Sequence, residues 1–175
     1  NFYYEEAYYI WVGCIRDTPL IEYFRYLKKM CLTLHNLAQM KKGWLPIHGA
    51  FVNIYLKDGT KKGIMLMGDS GAGKSESIEA LKAAAGDMIR KVEVVFDDMG
   101  TIHLEDGVPY GQGTEIGAFI RLDDLDPGTP YRDMDRSIFI ASENPNARMI
   151  QPAAPYRVVV HNHKIDLFAY ANNYT

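Results

Sequence analysis

The segment Gly68-Asp69-Ser70-Gly71-Ala72-Gly73-Lys74-Ser75 constrains this chain more than any other. It fits G-x-x-x-x-G-K-S/T at every position. An apolar run, Ile64 to Met67, stands before it, and Ser75 to Ala85 reads as a helix closed by Gly86. A strand, a glycine-rich turn and a helix in that order let backbone N–H groups turn inward around phosphate oxygens, and the helix N-terminus adds its positive dipole end. Lys74 is expected to bridge the terminal phosphates of a nucleotide, and the Ser75 hydroxyl to ligate Mg²⁺. The same glycines also suit a turn that binds nothing, but the strand before and the helix after favour the phosphate reading.

A phosphate loop of this kind needs a carboxylate near its metal, usually at the end of a neighbouring strand. Asp97-Asp98 follows Val92 to Phe96, a stretch that reads as a buried strand. One carboxylate is expected to hold the metal, directly or through water. The other is expected to act as general base toward an acceptor hydroxyl. Taken alone, the pair would be a solvated turn.

Around this core the chain reads as strand-rich. Asn1 to Gly13 carries Tyr3, Tyr4, Tyr8 and Tyr9 and suits a strand or a helix that needs a partner. Thr18-Pro19 marks a helix start, and Leu20, Phe24, Leu27, Cys31 and Leu34 recur at helical spacing to about Met40, before Gly43. Ala50 to Leu56 alternates, Lys57 to Thr60 is a turn, and Gly63 to Met67 returns as a hairpin partner. Glu105-Asp106-Gly107 joins a second hairpin. Ala118 to Leu122, Ser137 to Ala141 and Arg157 to Val160 read as strands, and Asp123 to Met134 as a loop.

The charge balance excludes some partners. Lys plus Arg is 19 against 22 for Asp plus Glu, a formal net charge of -3, which argues against nucleic acid. Cys14 and Cys31 are too few for a disulfide framework and suit reduced thiols in a cytoplasmic protein. No apolar run spans a bilayer, and Asn1 to Glu6 has no signal-peptide pattern, so no membrane partner is expected. The missing initiator Met and the stop after an apolar run suggest a piece of a longer protein.

Leu45-Pro46-Ile47-His48-Gly49-Ala50, then a strand pair, then Gly68 to Ser77, then Phe96-Asp97-Asp98 resembles the core shared by phosphoenolpyruvate carboxykinases and HPr kinase/phosphorylases. The resemblance runs from about His48 to Arg148. It implies that His48 ligates a divalent metal, as in carboxykinases, or lies beside the phosphates, as in HPr kinases; a structural histidine bonded to backbone is the alternative. Asn146-Ala147-Arg148 resembles a carboxykinase segment whose Arg approaches the transferred phosphate, which implies that role for Arg148. Met40-Lys41-Lys42-Gly43 resembles the carboxykinase metal-site segment but stands too close to His48. On the other side, Gly-Asp-Ser-Gly-x-Gly-Lys-Ser-Glu is similar to the HPr kinase loop, and Glu115-Ile116-Gly117 faintly resembles an acidic motif of those kinases, without its following Arg.

The expected fold is α/β: a strand-rich mixed sheet with a phosphate loop and flanking helices, carboxykinase- and HPr-kinase-like. A Tyr-rich and helical segment, 1–43, precedes a nucleotide-binding domain, 44–175. The expected function is metal-dependent binding of ATP or GTP for phosphoryl transfer, as a carboxykinase-like nucleotide lobe; a protein serine kinase or a non-catalytic nucleotide sensor is the alternative. Lys74, Asp98 and Arg148 are the expected catalytic residues. Gly68, Asp69, Ser70, Gly71, Ala72, Gly73, Lys74, Ser75 and Glu76 are expected to hold the nucleotide. Ser75, His48, Asp97 and Asp98 are expected to hold Mg²⁺ or Mn²⁺. The acceptor is a small molecule or a protein, and oligomerisation is possible.

Overall fold

A computed structural model of the chain describes residues 1–18, 26–68, 72–83, 86, 88–121 and 148–172. The Tyr-rich start is an antiparallel hairpin of β1 (Phe2–Glu5) and β2 (Ile10–Gly13), with Tyr4 opposite Trp11 and their rings 5.2 Å apart. The helix α1 (Lys28–Lys41) follows, so the expected start at Thr18-Pro19 lies partly outside the described residues. Its end is where glycine predicted it. Gly43 takes φ +80°, and its N–H bonds the Met40 carbonyl at 2.9 Å, satisfying a terminal acceptor.

β3 (Leu45–Leu56) and β4 (Lys61–Met67) form the expected hairpin. Asp58 accepts the Thr60 N–H at 2.8 Å within its turn, and Gly59 supplies the left-handed residue, φ +89°. After β4 the chain passes through the glycine-rich segment into α2 (Lys74–Ala83). The next strand, β5 (Ile89–Glu105), is far longer than Val92 to Phe96. It pairs with β3 from Ile89 to Ile102, and its far end pairs with β6 (Val108–Gly113). Asp106 and Gly107, both at positive φ, make the tight turn between them.

Next come β7 (Gly117–Arg121) and β8 (Arg148–Pro152), a separate antiparallel pair, and the short helix α3 (Tyr156–Val159). β9 (His163–Lys164) and β10 (Leu167–Tyr170) complete a six-stranded mixed sheet, ordered β10-β4-β3-β5-β6-β9, in which β10 runs parallel to β4. The sheet curls. The connection between its edge strands folds back on β4, where Asp166 N–H donates to Gly63 O at 2.8 Å and Asp166 Oδ2 accepts the Gly63 N–H at 2.9 Å.

Curling gives the sheet two apolar faces. Phe51, Met65, Val95, Phe96 and Ile165 fill the inside, with Phe51 and Phe96 edge to face at 6.0 Å. Ala50, Val52, Ile54 and Leu66 pack on the other face with Ile78 of α2. Residues Ala50 to Ile54 are therefore buried on both sides, where the sequence suggests a half-exposed alternating strand. Each large apolar side chain buried this way stabilises the fold by roughly 1.5–3 kcal/mol.

Two expectations are corrected. Asp97-Asp98 does not end a strand: it lies within β5, because β3 continues to pair on both sides of it. Arg157 to Val159 is helical, with Val160 capping the helix, rather than extended. Pro155 precedes the helix, its carbonyl accepts the Val158 N–H at 2.8 Å, and Val159 is buried against the sheet. Local β-branched preference yields to that packing. Ser137 to Ala141 and the 123–134 loop lie outside the described residues. Among the described residues, no helix is long and apolar enough to cross a membrane.

Candidate functional site

The register of three strands sets the site. Gly49 of β3 stands opposite Met67, the last residue of β4, and opposite Asp98 of β5. The mouth of the glycine segment and Asp98 are therefore two strand spacings apart, roughly 10 Å between backbones. Gly49 is needed for this: a Cβ there would come within 2.7 Å of the Leu66 carbonyl.

On the loop side, Lys74 opens α2 and is 7% exposed. Its ammonium donates to the Gly68 carbonyl at 2.8 Å. Gly68 passes so close to Ala171 that a Cβ would lie 2.5 Å from its carbonyl oxygen. Gly73 takes φ +85°, a left-handed turn directly into the helix. The first turn is fastened by the Ser77 N–H and hydroxyl on Gly73 O, at 2.9 and 2.6 Å. Ala72 and Gly73 are described, and Ser75 and Glu76 lie on the first turn of α2 by their backbone. Asp69, Ser70 and Gly71 lie outside the described residues, as do the side chains of Ser75, Glu76 and Arg148; the Arg148 backbone begins β8.

On the acidic side, His48 Nε2 lies 3.0 Å from Asp98 Oδ1. Asp98 has φ +132°, a conformation that L side chains rarely adopt. Asp97 stands opposite Ala50, whose face packs against α2. The two carboxylates thus belong to different surroundings.

Two further residues join Asp98, and the sequence singled out only one of them. Lys28, at the start of α1, lies 3.5 Å from Asp98 Oδ2 and 3.3 Å from Glu115 Oε2. The Glu115 side chain is 14% exposed, and its Oε1 is buried with no hydrogen-bond partner. Burial above all, and the charge of Asp98, raise its pKa above the ordinary carboxylate value, although Lys28 pulls the other way. For Glu115 the weak motif likeness was a signal. For Lys28 there was none, because one lysine among several on a helix gives no hint of its partner.

Other sequence candidates go elsewhere. Lys41 holds its ammonium 3.1 Å from the centre of the Tyr4 ring, and Lys42 lies 5.5 Å from that of Trp44. His103 stacks on Trp44 at 3.8 Å and bonds Glu105. His163 is buried between Asn53 and the Val158 carbonyl.

Among the described residues, no three His, Cys, Asp or Glu side chains converge as a ready metal cage. The donors near Asp98 nevertheless fit a divalent cation in kind. They are carboxylate oxygens and an imidazole nitrogen, with an orphaned acceptor at Glu115 Oε1. The space between Asp98 and Glu115 is bridged by the Lys28 ammonium. Comparison with protein-family models and with curated protein sequences finds no match to this chain.

Proposed function

We propose that this chain binds ATP or GTP with Mg²⁺ or Mn²⁺ for phosphoryl transfer, as the nucleotide lobe of a phosphoenolpyruvate carboxykinase-like enzyme. The observation that carries the reading is Lys74. It is a buried lysine on the first residue of a helix that follows a glycine segment off β4, and its ammonium is turned back to that segment's first carbonyl. A lysine so placed can turn its charge from that carbonyl to phosphate oxygens.

In this reading the loop amides from Gly68 to Gly73 hold the phosphates and Lys74 neutralises them. Ser75 and Asp97 or Asp98 hold the metal, with His48 beside them, and Arg148 attends the transferring group. A bound divalent ion supplies charge neutralisation on the phosphates. The chain's own part is to position and to exclude water. The reading assigns the protein to the cytoplasm.

The protein-serine-kinase alternative gains from Glu115, the residue of the HPr-kinase-like motif, which Lys28 joins to Asp98. It gains also because Lys41 and Lys42 pair with aromatic rings, which weakens the carboxykinase-like metal segment. Calorimetric titration with ATP and GTP, with and without Mn²⁺, tests the shared claim. Saturable binding that requires the metal supports it, and no binding of either nucleotide refutes it. Assay of the bound protein with oxaloacetate, then with seryl proteins, separates the acceptors; binding without turnover identifies a sensor.

A further inference from the structure

The β1–β2 hairpin rests on α1 at Gly13, where a Cβ would lie 2.7 Å from Met30 Sδ and 3.3 Å from a Leu34 methyl. Beside that contact, between hairpin and helix, lies an open cavity of about 680 Å³, within the size range of sites that take drug-sized molecules. Tyr26, in the helical turn that leads into α1, and Met30 stand one turn apart and line it from the helix side. Phe2 of β1 and Ile15, just past β2, line it from the hairpin side. Phe2, Ile15 and Tyr26 are 42%, 39% and 57% exposed, so exposed apolar surface is gathered at this cavity. Two cations share the lining. Arg16 and Lys29 belong to it, and no Asp or Glu does. Among the described residues neither cation has an ion pair, in a chain whose net charge is -3.

We propose that this cavity binds a small amphipathic carboxylate, its alkyl chain against Phe2, Ile15, Tyr26 and Met30 and its carboxylate held by Arg16 and Lys29. Removal of apolar surface from water, on both the chain and the cavity wall, supplies most of the affinity. The cations select the charged end: the planar guanidinium of Arg16 matches a carboxylate with two parallel hydrogen bonds, and Lys29 adds a point charge. An anionic lipid surface offers the same two chemistries, but a flat surface cannot fill a concavity, and the shape favours a single inserted molecule. The site stands apart from the Gly68–Ser75 segment and does not depend on the nucleotide reading.

The test is calorimetric titration of the full chain with dodecanoate, kept below the concentration at which it forms micelles, and with dodecan-1-ol, which has the same chain and no charge. Wild type should bind one dodecanoate saturably and dodecan-1-ol more weakly. An exposed charge pair is worth about two- to fivefold in affinity. Arg16→Gln combined with Lys29→Gln should therefore weaken dodecanoate about four- to 25-fold and leave dodecan-1-ol unchanged. Thr33, one turn beyond Lys29, also lines the cavity. Thr33→Trp, which fills it, should abolish binding of both compounds. No saturable dodecanoate binding by wild type, equal affinity for acid and alcohol, or binding that a folded Thr33→Trp leaves unchanged overturns the proposal. The comparison of acid and alcohol needs no variant and decides alone if Thr33→Trp does not fold. Association with phosphatidylglycerol vesicles without binding of dissolved dodecanoate also overturns it, and assigns this face to a lipid surface.

Discussion

His48 Nε2 lies 3.0 Å from Asp98 Oδ1, although the strand register sets His48 opposite Met99. Strict alternation would leave the imidazole with Asp97. The departure of Asp98 from extended geometry, φ +132°, accompanies its bond to His48 instead. Backbone strain of this kind costs on the order of 1–3 kcal/mol and persists where surroundings hold it. Here the holders are His48 on one oxygen and Lys28 on the other.

That difference gives the two carboxylates different surroundings. Asp98→Asn should weaken Mn²⁺ binding in the presence of nucleotide more than it weakens nucleotide binding without metal. The amide keeps the shape and loses the charge that holds a hard cation. Paired Mn²⁺ and nucleotide titrations of Asp97→Asn and Asp98→Asn read this out. If both variants bind Mn²⁺–nucleotide as wild type does, the acidic pair has no metal role.

The turns were legible in the sequence, and the sheet's connections were not. Asp58-Gly59 and Asp106-Gly107 fold as the hairpin turns their residues demand, and Gly43 ends α1 as glycine should. These signals are local, set by what a backbone without Cβ can adopt. Asp97-Asp98 misled because Asp disfavours strands, yet β3 pairs across it. Val158 and Val159 misled for the converse reason, since burial of Val159 overrides strand preference in α3. Lys28 meets Glu115 across 87 residues, by the residue numbers, and such a contact leaves no periodic trace.

Gly49→Ala should destabilise the fold by about 1–3 kcal/mol, because the added methyl meets the Leu66 carbonyl at 2.7 Å, backbone that cannot step aside. Urea unfolding checks it. A wild-type midpoint would show that β3 and β4 separate more easily than the close approach implies.

Stability should fall in mild acid. His163 Nε2–H donates to Val158 O at 2.8 Å, and Nδ1 accepts from Asn53 Nδ2 at 3.0 Å, so the imidazole is used in its neutral form. Burial, the largest cause, lowers its pKa, and Lys61 adds to that. The unfolded chain takes the proton near the ordinary value of about 6.5, and the folded chain only at lower pH. Stability is therefore full above that value and declines as pH falls toward the lowered one. Melting temperatures from about pH 7.5 to 5.5 should fall less steeply in His163→Gln than in wild type. His35, also lowered chiefly by burial, is common to both proteins, so the difference isolates His163. Parallel profiles would contradict the assignment.

The central claim is that the Gly68–Ser75 segment holds the phosphates of a nucleotide, and Lys74 tests it most directly. Its ammonium, now 2.8 Å from the Gly68 carbonyl, is the charge the account turns toward phosphate. Calorimetric titration of wild type and Lys74→Ala with Mn²⁺–ATP and Mn²⁺–GTP should show affinity falling at least about tenfold, since charge-assisted bonds are worth roughly 1.5–3 kcal/mol. Circular dichroism should show the fold retained. Equal affinity in a folded Lys74→Ala would contradict the account.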